Sequence, residues 1–341
     1  MATASSFIFC QFIDRPFRRS GAVSISIILL SACFAFGLPI ERSSAETTDR
    51  HVHILSPELI RIWKGLGIPF SRPDEYYSDI DVILKNTAVK RFDLISMAHV
   101  YSSEEFSGFK NERELVEREN SYVAAARDKN PDKVRAFCSV DPLRDYAINE
   151  LERCRSQLKM DGIKLHHNAN QVYLTVPAHL AKVKAIFEFA AKYKLPILLH
   201  FDNSHRRFGE RDVGLLIDEI LKDLKPVRLT IAHFGTSGGF NSRTKSVIDA
   251  FRYRFRTQQW LNKHKITFDI SAVALDKDSE GVPKLTDAHF AELAIYIRRL
   301  GPERVSFGTD YPLYTPSEYV DILLTRLGLS DAEVALLLRD K

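Results

Sequence analysis

From Thr48 onward, short runs rich in β-branched and aromatic residues alternate with longer segments whose apolar residues recur every three to four positions. The first kind reads as strands and the second as amphipathic helices. Candidate strands end near His53, His99, Val140, Leu165, His200, His233, Ser271 and Thr309, which makes eight. Helical patterns run from Glu112 to Lys129, Tyr146 to Leu158, Ala178 to Lys194, Val213 to Leu224, Thr244 to Lys263 and Asp287 to Leu300, with Ser317 to Leu327 after the eighth strand. Runs such as Pro196-Ile197-Leu198-Leu199 are short and flanked by polar residues, as strands covered on both faces are. Eight βα units predict an α/β fold, a (β/α)8 TIM barrel forming one catalytic domain, with a doubly wound open sheet as the alternative. No Gly-rich phosphate loop follows the first strand, so a dinucleotide fold has no support.

Ahead of this alternation the pattern changes. Arg15, Arg18 and Arg19 precede an uncharged apolar stretch from Gly21 to Ile40, and Ser43-Ser44-Ala45 supplies the small residues of a cleavage site. Residues 1–45 are therefore expected to be a signal peptide, and residues 46–341 an exported barrel domain, periplasmic or secreted. The alternatives are an uncleaved membrane anchor, because a stretch of 20 uncharged residues can span a bilayer, and a lipoprotein carried on Cys33 in Leu30-Ser31-Ala32-Cys33. Membrane contact is expected only if the leader is retained or Cys33 is lipidated.

Composition narrows the classes. With 45% hydrophobic and 27% charged residues among 341, the chain can bury a large core and is not a disordered segment. The net charge of +4 falls to +2 without the leader, so a nucleic-acid partner is excluded. Cys138 and Cys154 remain after the leader is removed; an oxidising compartment could pair them, their spacing fits no metal motif, and they read first as buried free thiols.

The informative chemistry stands at the strand ends. In Asp49-Arg50-His51-Val52-His53 the two histidines are two apart, so both face the barrel interior. His200, His233 and Asp310 each directly follow an apolar run. Buried together, such groups need partners or are driven neutral, and a shared cation accounts for all of them.

These residues carry a family resemblance, together with Phe137-Cys138-Ser139-Val140-Asp141-Pro142, Gly162-Ile163-Lys164-Leu165-His166, Ile231-Ala232-His233-Phe234-Gly235 and Phe307-Gly308-Thr309-Asp310-Tyr311-Pro312. The sequence resembles the metal-dependent amidohydrolase superfamily, and within it the amidohydrolase-related family that includes aminocarboxymuconate semialdehyde decarboxylase. The resemblance implies one divalent metal on His51, His53, His200 and Asp310, with His233 acting on substrate. Zinc is the first expectation; manganese, iron and cobalt also suit the donor set. The expected reaction is hydrolysis of a small carbonyl compound (lactone, ester or amide) through a metal-activated water, with Asp310 as base and His233 polarising the carbonyl or protonating the leaving group. The alternative is a nonoxidative decarboxylase on the same site. A third reading, a non-catalytic exported binding protein, predicts degraded ligand positions, and none is degraded.

Other residues complete the expectation. Lys164 carries a metal-bridging carboxylate in some relatives; here it is read beside a single metal, contacting substrate or a structural carboxylate. His166 and His167 are read as rim loop residues or as substrate contacts. Arg206 and Arg207 follow the fifth strand, where they could pair a carboxylate-bearing small-molecule substrate. Trp63, Arg72, Tyr76 and Tyr77 are candidates to line a pocket for a planar substrate, Trp63 alternatively packing on the barrel. His99, His179, His264 and His289 receive no functional reading. A homo-oligomer is compatible with all of this. The last helix, around Leu336-Leu337-Leu338, is expected to dock incompletely before Lys341.

Overall fold

The computed structural model describes residues 47–340 apart from residues 86, 87, 107 and 280; the leader, with Cys33, lies outside the described residues. Eight parallel strands follow one another in sequence order: β1 (Thr48–His53), β2 (Arg91–Ile95), β3 (Val134–Ser139), β4 (Gly162–His166), β5 (Ile197–His200), β6 (Arg228–Ile231), β7 (Lys265–Asp269) and β8 (Val305–Ser306).

Closure at the β1–β8 seam separates a barrel from an open sheet. The Arg50 N–H donates to the Phe307 carbonyl at 3.1 Å, and the His53 N–H to the Tyr311 carbonyl at 3.0 Å. Because β8 has only two residues, side chains reinforce this seam. The Asp49 carboxylate accepts from the Thr309 N–H at 3.0 Å and from the Thr309 hydroxyl at 2.6 Å. Burial pushes Asp49 up to about 7 against the opposing pull of those Thr309 bonds. The fold is a (β/α)8 TIM barrel.

The helices run close to their predicted spans, with Glu112–Lys129 and Asp287–Leu300 unchanged. The Val213 to Leu224 pattern becomes an α-helix, Glu210–Leu215, that widens into a π-helical segment, Leu216–Leu221. Alternation along β5 shows how the core is divided. Ile197 and Leu199 join the large cluster that faces the helices, whereas Leu198 joins Ile95, Phe137 and Ala232 inside the barrel. That inner layer separates the mouth, at the strand C-termini, from a floor where Arg50, Asp93, Arg135 and Asp340 meet.

Two expectations are corrected. Cys138 and Cys154 are joined in a disulfide, with Cα atoms 6.2 Å apart. Cys138 lies on the helix-facing side of β3, and helix Ala147–Ser156 returns over that strand with Cys154 on its buried face. The period of each element was readable; the register between them was not. The last helix, Asp331–Leu338, is docked: Leu337 is fully buried and its carbonyl accepts the Phe307 N–H at 2.9 Å. Just beyond it, Asp340 takes a 2.6 Å hydrogen bond from Arg50 at the floor. Among the described residues no helix is long and apolar enough to cross a membrane.

Candidate active site

β1 carries His51 and His53 into the mouth, their rings edge to face with centroids 4.9 Å apart. Asp310 reaches them from the chain after β8. A side chain at position 308 would sit 2.9 Å from the His51 Cβ, so Gly308 is what lets this segment pass close to β1. Asp310 and His233 both hold left-handed backbone, φ 56° and 51°. That conformation costs a non-glycine residue on the order of 1 kcal/mol, and such strain concentrates at functional sites. The residues flanking Asp310 are held in place, because Thr309, gripped by Asp49, also accepts the Tyr311 N–H on its hydroxyl at 3.1 Å.

Asp310 Oδ1 lies 3.2 Å from His53 Nε2 and 3.4 Å from His51 Nε2. Burial alone would raise this carboxyl, yet the imidazoles of His233, His51 and His53 hold it below the usual carboxylate range. On its other side His51 Nδ1 faces Asp269 Oδ2 at 3.0 Å. An ionised carboxylate only accepts, so it takes the Nδ1 proton, and neutral His51 presents its Nε2 lone pair to the mouth. Burial, then the neighbouring Lys164 charge, pushes His51 well below the ordinary histidine value. Asp269 Oδ1 accepts the His233 N–H at 2.9 Å, and His233 Nδ1 faces the Ser271 carbonyl at 3.0 Å. One aspartate on β7 therefore orients the His51 ring and holds the His233 backbone, while Ser271 faces the His233 ring.

Ligand atoms of His51, His53 and Asp310 all lie within 4.8 Å of one another. His200 stands beside this group but is not part of it. Its ring stacks on His166 at 3.8 Å and its Nε2 faces Ser237 Oγ at 3.1 Å. The donor set suits a divalent metal, with two imidazole nitrogens and a carboxylate oxygen buried together. Buried polar atoms without partners are rare in folded proteins, and here His53 Nδ1 and His200 Nδ1 are two of them. Lys164, 1% exposed, points its Nζ at His51 Nε2 from 3.2 Å, so it competes with a metal for that lone pair. Burial lowers Lys164 to about 8 against the opposing charges of Asp310 and Asp269.

The cavity above this group encloses about 530 Å³ counting its open mouth. His99, His166, His200, His233, Asn168 and Asp310 form its polar wall, and Met97, Leu275 and Val282 its apolar one. Arg206 and Arg207 are exposed and do not border it. His167 does not border it either and packs against Phe201. Trp63 is fully buried against Phe70 and Phe106, and none of Trp63, Arg72, Tyr76 and Tyr77 lines the cavity.

Sequence reasoning passed over three residues. His99, placed near the end of the second strand but given no role, lies in a 3-10 turn, Ala98–Ser102, just beyond the end of β2. Asp269 and Ser271 sit at the end of β7 and act through other side chains. A polar residue closing an apolar run was the available signal for Asp269.

The sequence matches the amidohydrolase family over residues 49–340. The chain belongs to that family. A comparison with curated proteins finds no match. Among solved structures, this amidohydrolase is similar to 2,6-dihydroxybenzoate decarboxylase from Rhizobium at 17% identity and a TM-score of 0.57, over 86% of this chain and 96% of that one. It is similar to 5-carboxyvanillate decarboxylase from Novosphingobium aromaticivorans, complexed with manganese and 4-hydroxy-3-methoxy-5-nitrobenzoic acid, at 14% identity and a TM-score of 0.58, covering 87% and 94%. A putative amidohydrolase from Staphylococcus aureus shares 16% identity with a TM-score of 0.56, covering 86% and 96%. Likeness at these identities establishes a shared barrel; chemistry has to be argued from the site.

Proposed function

We propose that this amidohydrolase is a metal-dependent nonoxidative carboxy-lyase acting on a small hydroxylated aromatic carboxylate, in place of the hydrolase first expected. The observation that carries the reading is the place of Asp310. Among the described residues it is the one carboxylate on the cavity wall, and its Oδ1 lies 3.2 Å from His53 Nε2 and 3.4 Å from His51 Nε2, inside the group that would hold the metal. Committed there as a ligand, it leaves no second carboxylate on the wall to take a proton from water, which hydrolysis requires. Decarboxylation needs no such base. The solved relatives that act on aromatic acids, one of them with manganese, add support by analogy of fold.

His51, His53 and Asp310 would hold the metal, with His200 beside them, and manganese joins zinc as a first choice. When bound, the metal supplies a positive centre that anchors the substrate carboxylate and an adjacent oxygen. The chain does the rest. The apolar wall receives the ring and excludes water. Breaking the bond to the carboxylate leaves its electron pair on the ring carbon, which must take up one proton as carbon dioxide departs. His233 is placed to bring that proton as its imidazolium: Nδ1–H is given to the Ser271 carbonyl, and the second proton, on Nε2, passes to the ring carbon and leaves His233 neutral. The experiment is incubation of the metal-loaded protein with 2,6-dihydroxybenzoate, 5-carboxyvanillate and a set of aryl lactones. Carbon dioxide from an acid is the expected product; ring-opened acid from a lactone, with no carbon dioxide, restores the hydrolase reading.

The export reading is retained as part of this proposal. A disulfide joining Cys138 and Cys154 suits an oxidising compartment, periplasmic or extracellular. N-terminal sequencing of the protein from its own host should find Glu46 first; an intact leader would favour the anchored form.

A further inference from the structure

Three imidazoles stand face to face along one wall of the cavity. His99 and His166 have centroids 4.8 Å apart with 24° between their planes, and His166 and His200 are 3.8 Å apart at 14°. Because the faces cover one another, the wall presents ring edges to a ligand. His200 engages Ser237 through Nε2. His166 is fixed by the turn after β4, its Nδ1 accepting the Ala169 N–H at 3.1 Å. An accepting Nδ1 carries no proton, so the neutral ring carries it on Nε2. His99 is fixed from two directions: its Nδ1 lies 2.7 Å from Ser139 Oγ, and its carbonyl accepts from Asn170 at 2.9 Å. Its Nε2 is buried without a partner. Both rings border the cavity, and neither belongs to the group around Asp310. Among the described residues no lysine or arginine borders the cavity, so recognition of oxygen there falls to neutral groups: these ring edges, Asn168, Ser237 and Ser279.

We infer that His166 and His99 are the specificity-determining edge of the site: the His166 Nε2–H donates to a ring hydroxyl of the aromatic acid, and His99 Nε2 bonds the same substituent. This rests on the carboxy-lyase reading and adds which residues select a hydroxylated ring over a plain one. A ring without the hydroxyl leaves the His166 donor and the buried His99 Nε2 unpaired once the ligand covers them, and a site built this way rejects such a ligand.

The test is calorimetric titration of the manganese-loaded protein with 2,6-dihydroxybenzoate and with benzoate, for the wild type, His99→Phe, His166→Phe and His166→Gln. Phenylalanine at 166 keeps a flat ring on His200 and removes Nε2; glutamine restores an amide donor near that place. Affinity for dihydroxybenzoate should fall about tenfold in each phenylalanine variant and recover in His166→Gln. Benzoate binding should change less than about twofold by comparison, and manganese per chain should not change. Equal losses for the two acids, or no loss for dihydroxybenzoate, would overturn the inference. Carbon dioxide release is followed in parallel. Discrimination through His166 without carbon dioxide leaves the recognition edge standing and removes the carboxy-lyase reading. Carbon dioxide release with discrimination intact in His166→Phe does the reverse.

Discussion

At the floor of the barrel Arg50 and Arg135 face Asp93 and Asp340, with Arg135 Nε 2.6 Å from Asp93, Arg50 Nη2 2.6 Å from Asp340 and Arg135 Nη2 3.2 Å from Asp340. At the mouth the same barrel buries His51, His53, His99, His200 and Lys164 around a single aspartate, Asp310, with Asp269 behind His51. The floor answers buried charge with opposite charge. The mouth answers it with neutral imidazoles, leaves ring nitrogens of His53, His99 and His200 without partners, and holds Asp310 and His233 in strained backbone. Satisfied charge locks a structure, whereas buried donors and acceptors left over at a cavity are available to a ligand. The same division, stability below and chemistry above, holds for barrels of this class generally.

The sharpest way to break the comparison is at the floor. Asp93→Asn takes a carboxylate from buried Arg50 and part-buried Arg135, which should cost about 4 kcal/mol of stability, read as a lower denaturant midpoint. Metal content should be untouched; a parallel loss of metal would mean that floor and mouth are one unit. Next in size is a pH effect beneath the mouth. Glu119 accepts from Ser56 at the start of helix Pro57–Gly65, and burial pushes it up to about 7 from 4.5 against those Ser56 bonds. A folded value above the unfolded one means that its contribution is complete below pH 4.5 and lost as pH rises through about 7. Glu119→Gln should therefore remove about 3 kcal/mol of the fall in stability between pH 4.5 and 8, seen in melting curves across that range; curves that stay parallel would refute it. The smallest effect is expected at Asp269→Asn, which weakens the grip on His51 Nδ1. Metal affinity should drop by about tenfold, measured by competition with a chelator, with little change in the denaturant midpoint.

How far the sequence reached follows the same division. His200, His233 and Asp310 were readable because each closes a short apolar run, and His51 and His53 because the two-residue strand period points both to one side. The floor was not readable: Arg50, Asp93 and Arg135 lie on three different strands, and Asp340 comes from the far end of the chain. His99 and the Cys138–Cys154 bond were missed for a related reason. Periodicity gives the direction of a side chain within an element, but the distance between elements is set by packing, which no single stretch of sequence contains. Arg206 and Arg207 show the converse, since correct placement after β5 did not turn them toward the cavity.

The central claim, that the mouth is a metal-dependent site built by β1 and the chain after β8, is tested most directly by metal analysis. Wild type and a His51→Ala, His53→Ala double variant are loaded with manganese, dialysed, and measured by mass spectrometry beside their far-ultraviolet circular dichroism. The account predicts one manganese per wild-type chain, none in the variant, and the same barrel spectrum for both. Equal metal in the two proteins, or none retained by the wild type, would contradict it.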